Sequence, residues 1–382
     1  MKKPSFIVAC PQRTSADYHA AVLVKHGMLR KYFIGTRRPT DGIPEELTCF
    51  IKAWGAVATL SAMALPSYQG EWVRSAIHPL YDAWVLPKIQ PGDNIISSYG
   101  YANFCFKKVK KLEGKTFLDA GNSHPAHFWD VITEEHRIWG VKRPPYPPHW
   151  NQRARQMLDS TDYIICPSRY VEKTYLERGF TKDRLLYAPF PTDLSLFQPD
   201  LETIPPTNPL WVISTGSVSL RKGFPYLLEA VRLLRKDRDV RLMLTHIIES
   251  SMITILKTYD DIPIEWAPSL NHRDLANRLK KAHVFALLSL EDGFARTVSE
   301  ALACGLPAVV TPHTGARDFI LDGKNGYVVP IRDAAAAADA IQKAADIRLS
   351  GLRSDIELPD LSFQGFEAQF IKELARIGMT SV

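Results

Sequence analysis

The sequence predicts an α/β protein with two parallel-sheet domains, and three observations carry that prediction. Short apolar runs alternate with helix-period segments along most of the chain, the pattern of strand-helix-strand units. At 382 residues the chain exceeds the roughly 100–200 residues of one typical domain. A proline-rich stretch interrupts the alternation near the middle, from Pro189-Phe-Pro-Thr-Asp193 through Phe197-Gln-Pro199 to Pro205, Pro206 and Pro209. A linker belongs there. The expected division is an N-terminal domain over 1–195, a C-terminal domain over 196–360, and a terminal helical segment over 361–382.

Each half can be justified in order. In the first, the expected strands are Phe6–Cys10, Tyr32–Gly35, Asn94–Ser97, Thr116–Ala120, Tyr163–Cys166 and Leu185–Ala188, with helices over Ala16–Lys25, Trp129–Trp139 and Ser168–Arg178 among them. The loop Pro11-Gln-Arg-Thr-Ser15 lacks the glycines that let a backbone approach a pyrophosphate, so an NAD fingerprint is absent. The apolar and aromatic stretch 51–89 contains Trp54, Met63, Trp72, Tyr81 and Trp84. Its most apolar part, 53–66, is shorter than the roughly 20 residues of a membrane span, and buried core helices are the default reading over interfacial attachment. Four prolines within 142–149 predict a stiff surface connection.

In the second half, Leu210 to Gly216 is a strand running into a loop, Ser217-Val-Ser-Leu-Arg-Lys-Gly223, followed by a helix over Tyr226–Arg235. Strands Arg241–Thr245 and Ile262–Trp266, a helix over Asp274–Lys281 with Asn271 as N-cap, and a strand over Val284–Leu290 come next. A polar loop, a helix over Thr297–Cys304 closed by Gly305 and Pro307, and a strand Ala308–Val310 complete a βαβ unit. Helices over Asp333–Ala345 and Phe363–Ile377 end the chain.

Composition narrows the function. With 46% hydrophobic and 23% charged residues the chain is neither disordered nor fibrous. Five cysteines, an odd number with no C-x-x-C pair, argue against both a zinc ribbon and a disulfide framework. Met1-Lys-Lys-Pro runs directly into the first strand with no signal peptide, so a cytoplasmic location is expected. Residues 1–200 carry a net charge of +7 and residues 201–382 of −1, which make up the overall +6. The clusters Lys107-Lys108 with Lys110-Lys111, and Lys142-Arg143, suit an anionic membrane or an acidic acceptor, although a solvated helix face is the default. No nucleic-acid motif accompanies the charge.

The chemistry concentrates at the ends of predicted strands. Ligands of open α/β sheets sit at the carboxyl ends of strands, near helix N-termini that favour anions. Asp292 and Glu300, eight residues apart, place one acid at a strand tip and another on the following helix. Carboxylates there would repel a phosphate, so they are expected to accept bonds from vicinal hydroxyls. The loop from Gly216 through Arg221 and Lys222 combines small residues, fixed positive charge and a helix N-terminus, a reasonable diphosphate clamp. His124, at the end of the strand Thr116–Ala120, can bond a sugar hydroxyl or developing charge, with His127 as the fallback. A metal reading of His124, His127, His136, Glu134 and Glu135 fails on ligand spacing, and Asp237-Arg238-Asp239 fits a charged turn better than a metal motif.

These residues resemble the E-x7-E signature of retaining GT-B glycosyltransferases of the family-4 type, with Asp292-Gly293-Phe294-Ala295 for its first half and Glu300-Ala301 for its second. Gly216 to Lys222 likewise spans the interval of that family's Gly-Arg-x4-Lys-Gly pattern. The resemblance implies two Rossmann-like domains facing each other across a cleft, with acceptor binding in 1–195, donor binding in 196–360, and the last helix crossing back. It implies retaining, metal-independent transfer of a sugar from a nucleotide-diphosphate sugar, without a cofactor, in polysaccharide, glycolipid or other glycoconjugate assembly. The acceptor would be a glycan, a lipid or a small molecule. Membrane contact, if made, would run through the basic N-terminal domain, peripherally at the inner face.

The implied donor contacts are Gly216, Ser217, Arg221, Lys222, Gly293, Phe294, Ala295 and Glu300, and the implied catalytic positions are His124 and Asp292. That signature, usually written Glu-Gly-Phe-Gly in its first half, has a glycine where this chain has Ala295, and the chain departs from the pattern in three further places. Asp292 is one methylene short, so either it acts from further back or Glu291 takes the role. Ser217 stands where the family has Arg, which leaves Arg221 to supply that charge. No glycine-rich loop follows the first strand. A non-catalytic GT-B sugar-binding protein, or a GT-B sugar-nucleotide epimerase or phosphorylase, is the alternative.

Overall fold

The computed structural model describes all residues except 1–2, 13, 36–39, 52–53, 55–56, 58–59, 61–66, 144–145, 194, 200–204, 246, 268–269, 352–359 and 381–382. Most of the apolar stretch 53–66, two of the four prolines within 142–149, and part of the proline-rich linker lie outside the described residues. Two compact units emerge. One comprises Met1–Asp130, Arg143–Phe190 and Phe366–Val382, and the other Val131–Lys142 and Pro191–Gly365.

The first unit is built on a seven-stranded parallel sheet of β1 (Ser5–Ala9), β2 (Leu29–Ile34), β3 (Thr48–Phe50), β4 (Asp93–Ser98), β5 (Thr116–Asp119), β6 (Tyr163–Cys166) and β7 (Leu185–Tyr187), in the order β3-β2-β1-β4-β5-β6-β7. The second carries a six-stranded parallel sheet of β8 (Leu210–Ser214), β9 (Val240–Thr245), β10 (Ile264–Ala267), β11 (Val284–Leu287), β12 (Ala308–Val310) and β13 (Gly326–Val328), in the order β10-β9-β8-β11-β12-β13. Both sheets are doubly wound. Their order reverses between β1 and β4 and between β8 and β11, the switch points where such sheets open a crevice for ligands.

The strands are short continuous apolar runs because helices cover both faces. All four residues of β11, Val-Phe-Ala-Leu, are buried, and so are all six of β4. Beneath the second sheet, Leu227, Leu228 and Val231 of the helix Phe224–Leu234 pack with Ile341 and Ala344 of the helix Ala334–Leu349 against Val212, Leu242 and Val284. Each of these Leu, Val and Ile side chains contributes roughly 1.5–3 kcal/mol on leaving water. Asn271 caps its helix as its sequence position suggested, its side chain accepting from the Asp274 N–H.

Differences from the sequence reading have local causes. The strand expected over Val284–Leu290 pairs only to Leu287, because Leu288–Leu290 turn to meet the loop after β8. The prolines of 142–149 do not all make a stiff connection, since Pro148 opens the helix Pro148–Leu158, where its missing N–H costs nothing. Residues 131–142 lie within the expected N-terminal domain 1–195 but pack with the second unit. The reason is Glu135. Fully buried, it accepts from Trp139 Nε1 at 2.8 Å, Tyr226 Oη at 2.9 Å and Arg332 Nε at 2.7 Å. Among the described residues no helix is long and apolar enough to cross a membrane.

Candidate functional site

The candidate site of the second unit is assembled by two loops at the carboxyl ends of neighbouring strands. β8 and β11 pair in parallel register, Val212 with Val284 and Ile213 with Phe285, so the loops 215–223 and 288–295 leave the sheet side by side. They then lock together. Leu290 N–H donates to the Arg221 carbonyl at 2.9 Å, and Arg221 Nη1 donates to the Glu291 carbonyl at 3.0 Å and its carboxylate at 3.2 Å. Lys222 Nζ donates to Asp292 Oδ2, completing two crossed ion pairs.

Gly223 makes this approach possible. Its φ is +68°, and a Cβ there would lie 1.9 Å from the Leu288 carbonyl oxygen. Both the left-handed backbone and the contact exclude a side chain. On the other loop, Ala295 also adopts a left-handed conformation, φ +58°, at the N-cap of the helix Arg296–Ala303, and its N–H donates to Asp292 Oδ1 at 3.1 Å. The family resemblance places a glycine there, and this geometry explains that preference.

The structure places the expected residues unequally. Lys222, Asp292, Arg221 and Glu291 come together as two pairs. Burial alone would raise the Asp292 carboxyl, but the Lys222 and Arg221 charges outweigh it and hold the carboxyl below its usual range, ionised at neutral pH. Burial lowers the Lys222 ammonium, and Asp292 offsets part of that. Glu291 is fully buried, pinned by Arg221, whereas Asp292 retains some exposure. Of the two candidates for the first acid, Asp292 is therefore the one with a reachable carboxylate. Arg221 braces the second loop in this structure.

Glu300 stands apart. It is only 7% exposed, on the inner face of the helix Arg296–Ala303, and its carboxyl has no hydrogen-bond partner among the described residues. Burial pushes its pKa up to about 7, with Arg296 opposing. Gly216 N–H donates to Thr245 Oγ1 at 3.0 Å, which fixes the start of the first loop, and Ser217 is half-buried beside it. Gly293 is buried in the second loop, and the Phe294 ring is buried edge-on against Phe319. At the tips of β8 and β11, the buried hydroxyls of Ser214, Thr215 and Ser289 find no partner among the described residues. Sequence reasoning passed over these three, since isolated small hydroxyls carry no pattern.

In the first unit, His124 follows β5 and precedes the helix Pro125–Ile138. Its Nδ1 accepts from the Ala126 N–H at 3.1 Å, which leaves the imidazole proton on Nε2. Burial first, then the charges of Arg178 and Arg155, lowers its pKa to about 4. At neutral pH His124 is therefore an uncharged donor. His127 Nε2 is taken up by Tyr170 Oη at 3.2 Å, and no His, Cys, Asp or Glu cluster suited to a metal occurs among the described residues.

The fold and the paired loops define the class: a GT-B protein, two parallel-sheet α/β units of the kind found in glycosyltransferases of that architecture. Residues 202–356, which contain both loops and Glu300, match the family model of glycosyl transferases group 1. A D-inositol 3-phosphate glycosyltransferase of Arthrobacter sp. strain FB24 is 27% identical over 179 residues, 43% of this chain and 42% of the relative. The chain spans about half the length of the curated relatives it matches. Among solved structures, sucrose-phosphate synthase of Thermosynechococcus elongatus superposes with a TM-score of 0.66 at 17% identity, covering 98% of this chain and 96% of that one. Anabaena HepE, solved with UDP and glucose, gives 0.64 at 14% identity, covering 97% and 99%. At such identities the structural likeness is one of fold.

Proposed function

We propose that this protein is a glycosyltransferase that moves a sugar from a nucleotide-diphosphate donor to an acceptor in polysaccharide or other glycoconjugate assembly, with retention at the anomeric carbon. The observation that carries the reading is the buried Lys222–Asp292 pair at the tips of β8 and β11, with Glu300 one loop away, inside the stretch that matches the family model. HepE, solved with UDP and glucose, supports a nucleotide-sugar donor.

In this reading the donor's diphosphate takes Lys222 from Asp292. The ammonium then balances the charge that grows on the departing phosphate oxygen as its bond to the sugar carbon breaks. Asp292, released, accepts hydrogen bonds from sugar hydroxyls, and Glu300 accepts those of the ribose. The Ser217 backbone N–H, in the turn after β8, is offered to the same ligand, and Arg221 keeps the two loops in register. The acceptor oxygen forms the new bond to carbon and gives up its proton to the leaving phosphate, so no metal or cofactor is needed.

Thermal stability with a panel of nucleotides and nucleotide sugars tests the donor site. A ligand at about 100 times its dissociation constant adds roughly 2.7 kcal/mol to the state that binds it. The expected result is a shift with one nucleotide diphosphate that disappears in Lys222→Ala and Glu300→Ala. No shift with any member at millimolar concentration refutes the donor assignment. A shift without turnover of the matching nucleotide sugar, in the presence of candidate acceptors, would make the protein a sugar-nucleotide binder.

A further inference from the structure

The first unit holds a groove of about 560 Å³ along the helix Pro148–Leu158, reaching His124 and Phe180. Its walls differ in character. Phe180 and Leu158 provide apolar surface, while Gln152 and Gln156, both exposed, present amides, and Asp159 adds an acceptor at one end. Amides beside an aromatic face suit a ring with hydroxyls on its edge and C–H groups on its faces. Ordinary surface helices also carry glutamines, so two further facts matter.

Asn151 lines the groove, is only 9% exposed, and its amide oxygen finds no donor within the described residues. An acceptor left in that state costs about 1–3 kcal/mol, which a ligand hydroxyl would recover. Arg155 is exposed and makes no ion pair with any described residue, although most other arginines of this unit, such as Arg30, Arg153 and Arg178, are paired. It sits close enough to depress the His124 imidazole by its charge. His124 contributes a neutral ring whose proton is directed to Nε2 by the Ala126 N–H.

We propose that this groove binds a saccharide carrying an anionic group, a carboxylate or a phosphate, with Arg155 on the anion and Asn151, the glutamines and His124 on hydroxyls. Its role as the acceptor subsite rests on the proposed transferase function, whereas the binding itself does not. The guanidinium fork matches either anion in two parallel bonds, and the unit's positive charge favours the encounter.

Isothermal titration of the full chain decides the matter, with methyl glucuronide, glucose 6-phosphate, methyl glucoside and inorganic phosphate as probes. Wild type should bind a charged sugar about tenfold or more tightly than methyl glucoside, and exposed Arg155→Gln should erase that advantage. Asn151→Ser should weaken charged and neutral sugars alike. Equal binding of all sugars by wild type, persistence of the advantage in Arg155→Gln, or binding of none of the probes at millimolar concentration overturns the proposal. Inorganic phosphate binding as tightly as glucose 6-phosphate overturns it too, reducing the groove to a phosphate site.

Titration with UDP, alongside Lys222→Ala, separates the two readings. UDP binding without Arg155-dependent sugar binding ends this inference and leaves the transferase standing. Arg155-dependent sugar binding without any nucleotide binding does the reverse.

Discussion

Replacing Glu300 with Gln should make the protein more stable at pH 8 and leave it unchanged at pH 4. The wild-type carboxyl, buried without a partner among the described residues, has its pKa raised from 4.5 to about 7. Below pH 4.5 both folded and unfolded chains hold the proton and no penalty exists. Between 4.5 and 7 the unfolded chain ionises while the native one keeps its proton, so stability falls as pH rises. Above 7 the loss is complete, about 3 kcal/mol at 1.36 kcal/mol per unit. The amide carries no such cost.

For a unit of this size that corresponds to roughly 6–12 °C in Tm. Scanning calorimetry of both proteins from pH 4 to 8 reads it as a difference that opens between 4.5 and 7, with all other titrating groups cancelling. Parallel curves would refute the burial argument. The same carboxyl makes a second measurement informative. If ribose hydroxyls bond the ionised form, nucleotide binding expels a proton, and affinity should fall toward tenfold per pH unit below 7 in wild type but not in the variant.

Three other perturbations follow from the locked loops and the buried acid. Gly223→Ala should destabilise by about 2–4 kcal/mol, because a methyl would meet the Leu288 carbonyl in a left-handed backbone, and urea denaturation would show it. Asp292→Asn strands the Lys222 ammonium and should cost about 3–5 kcal/mol without ligand, yet bind UDP about tenfold more tightly, since no carboxylate competes for the lysine; weaker UDP binding by titration would contradict the exchange. Glu135→Ala removes the acceptor shared by Trp139, Tyr226 and Arg332 and should cost about 3–5 kcal/mol, with Glu135→Gln clearly milder, as chemical denaturation would measure.

Legibility in the sequence followed the range of each interaction. Strands such as β8 and β11 were readable because burial on both faces forces an unbroken apolar run, and the helix after β11 was readable because Gly305 and Pro307 end it locally. The three residues of β3 were not, since so short a run has no period. Glu135 lay in plain view beside Glu134, but its partner Arg332 is 197 residues away, and nothing in hydropathy encodes that pairing. The same limit applied to Arg221. Its charge and its place in a small-residue loop suggested a phosphate contact, and only the pairing of β8 with β11 reveals Glu291 as its neighbour. Ala295 is the converse case, a residue whose left-handed φ no composition would announce.

The one-methylene shortening at 292 can be understood through this geometry. In the proposed reading, the carboxylate at this strand tip is reached by a lysine on the adjacent loop and also meets the donor. Gly223 lets loop 215–223 approach loop 288–295 closely enough for Lys222 to reach Asp292. Glu291, the longer acid, is drawn inward to Arg221 and spends its carboxylate on holding the loops together. The two neighbouring acids therefore divide the work, with the longer one structural and the shorter one available. A glutamate at 292 would have to fold back on itself to keep the Lys222 contact or displace the lysine toward the space a diphosphate would fill. Restoring the family residue in this background alone should accordingly weaken nucleotide binding, and pairing it with Lys222→Arg should not rescue it, because the guanidinium is bulkier than the ammonium it replaces.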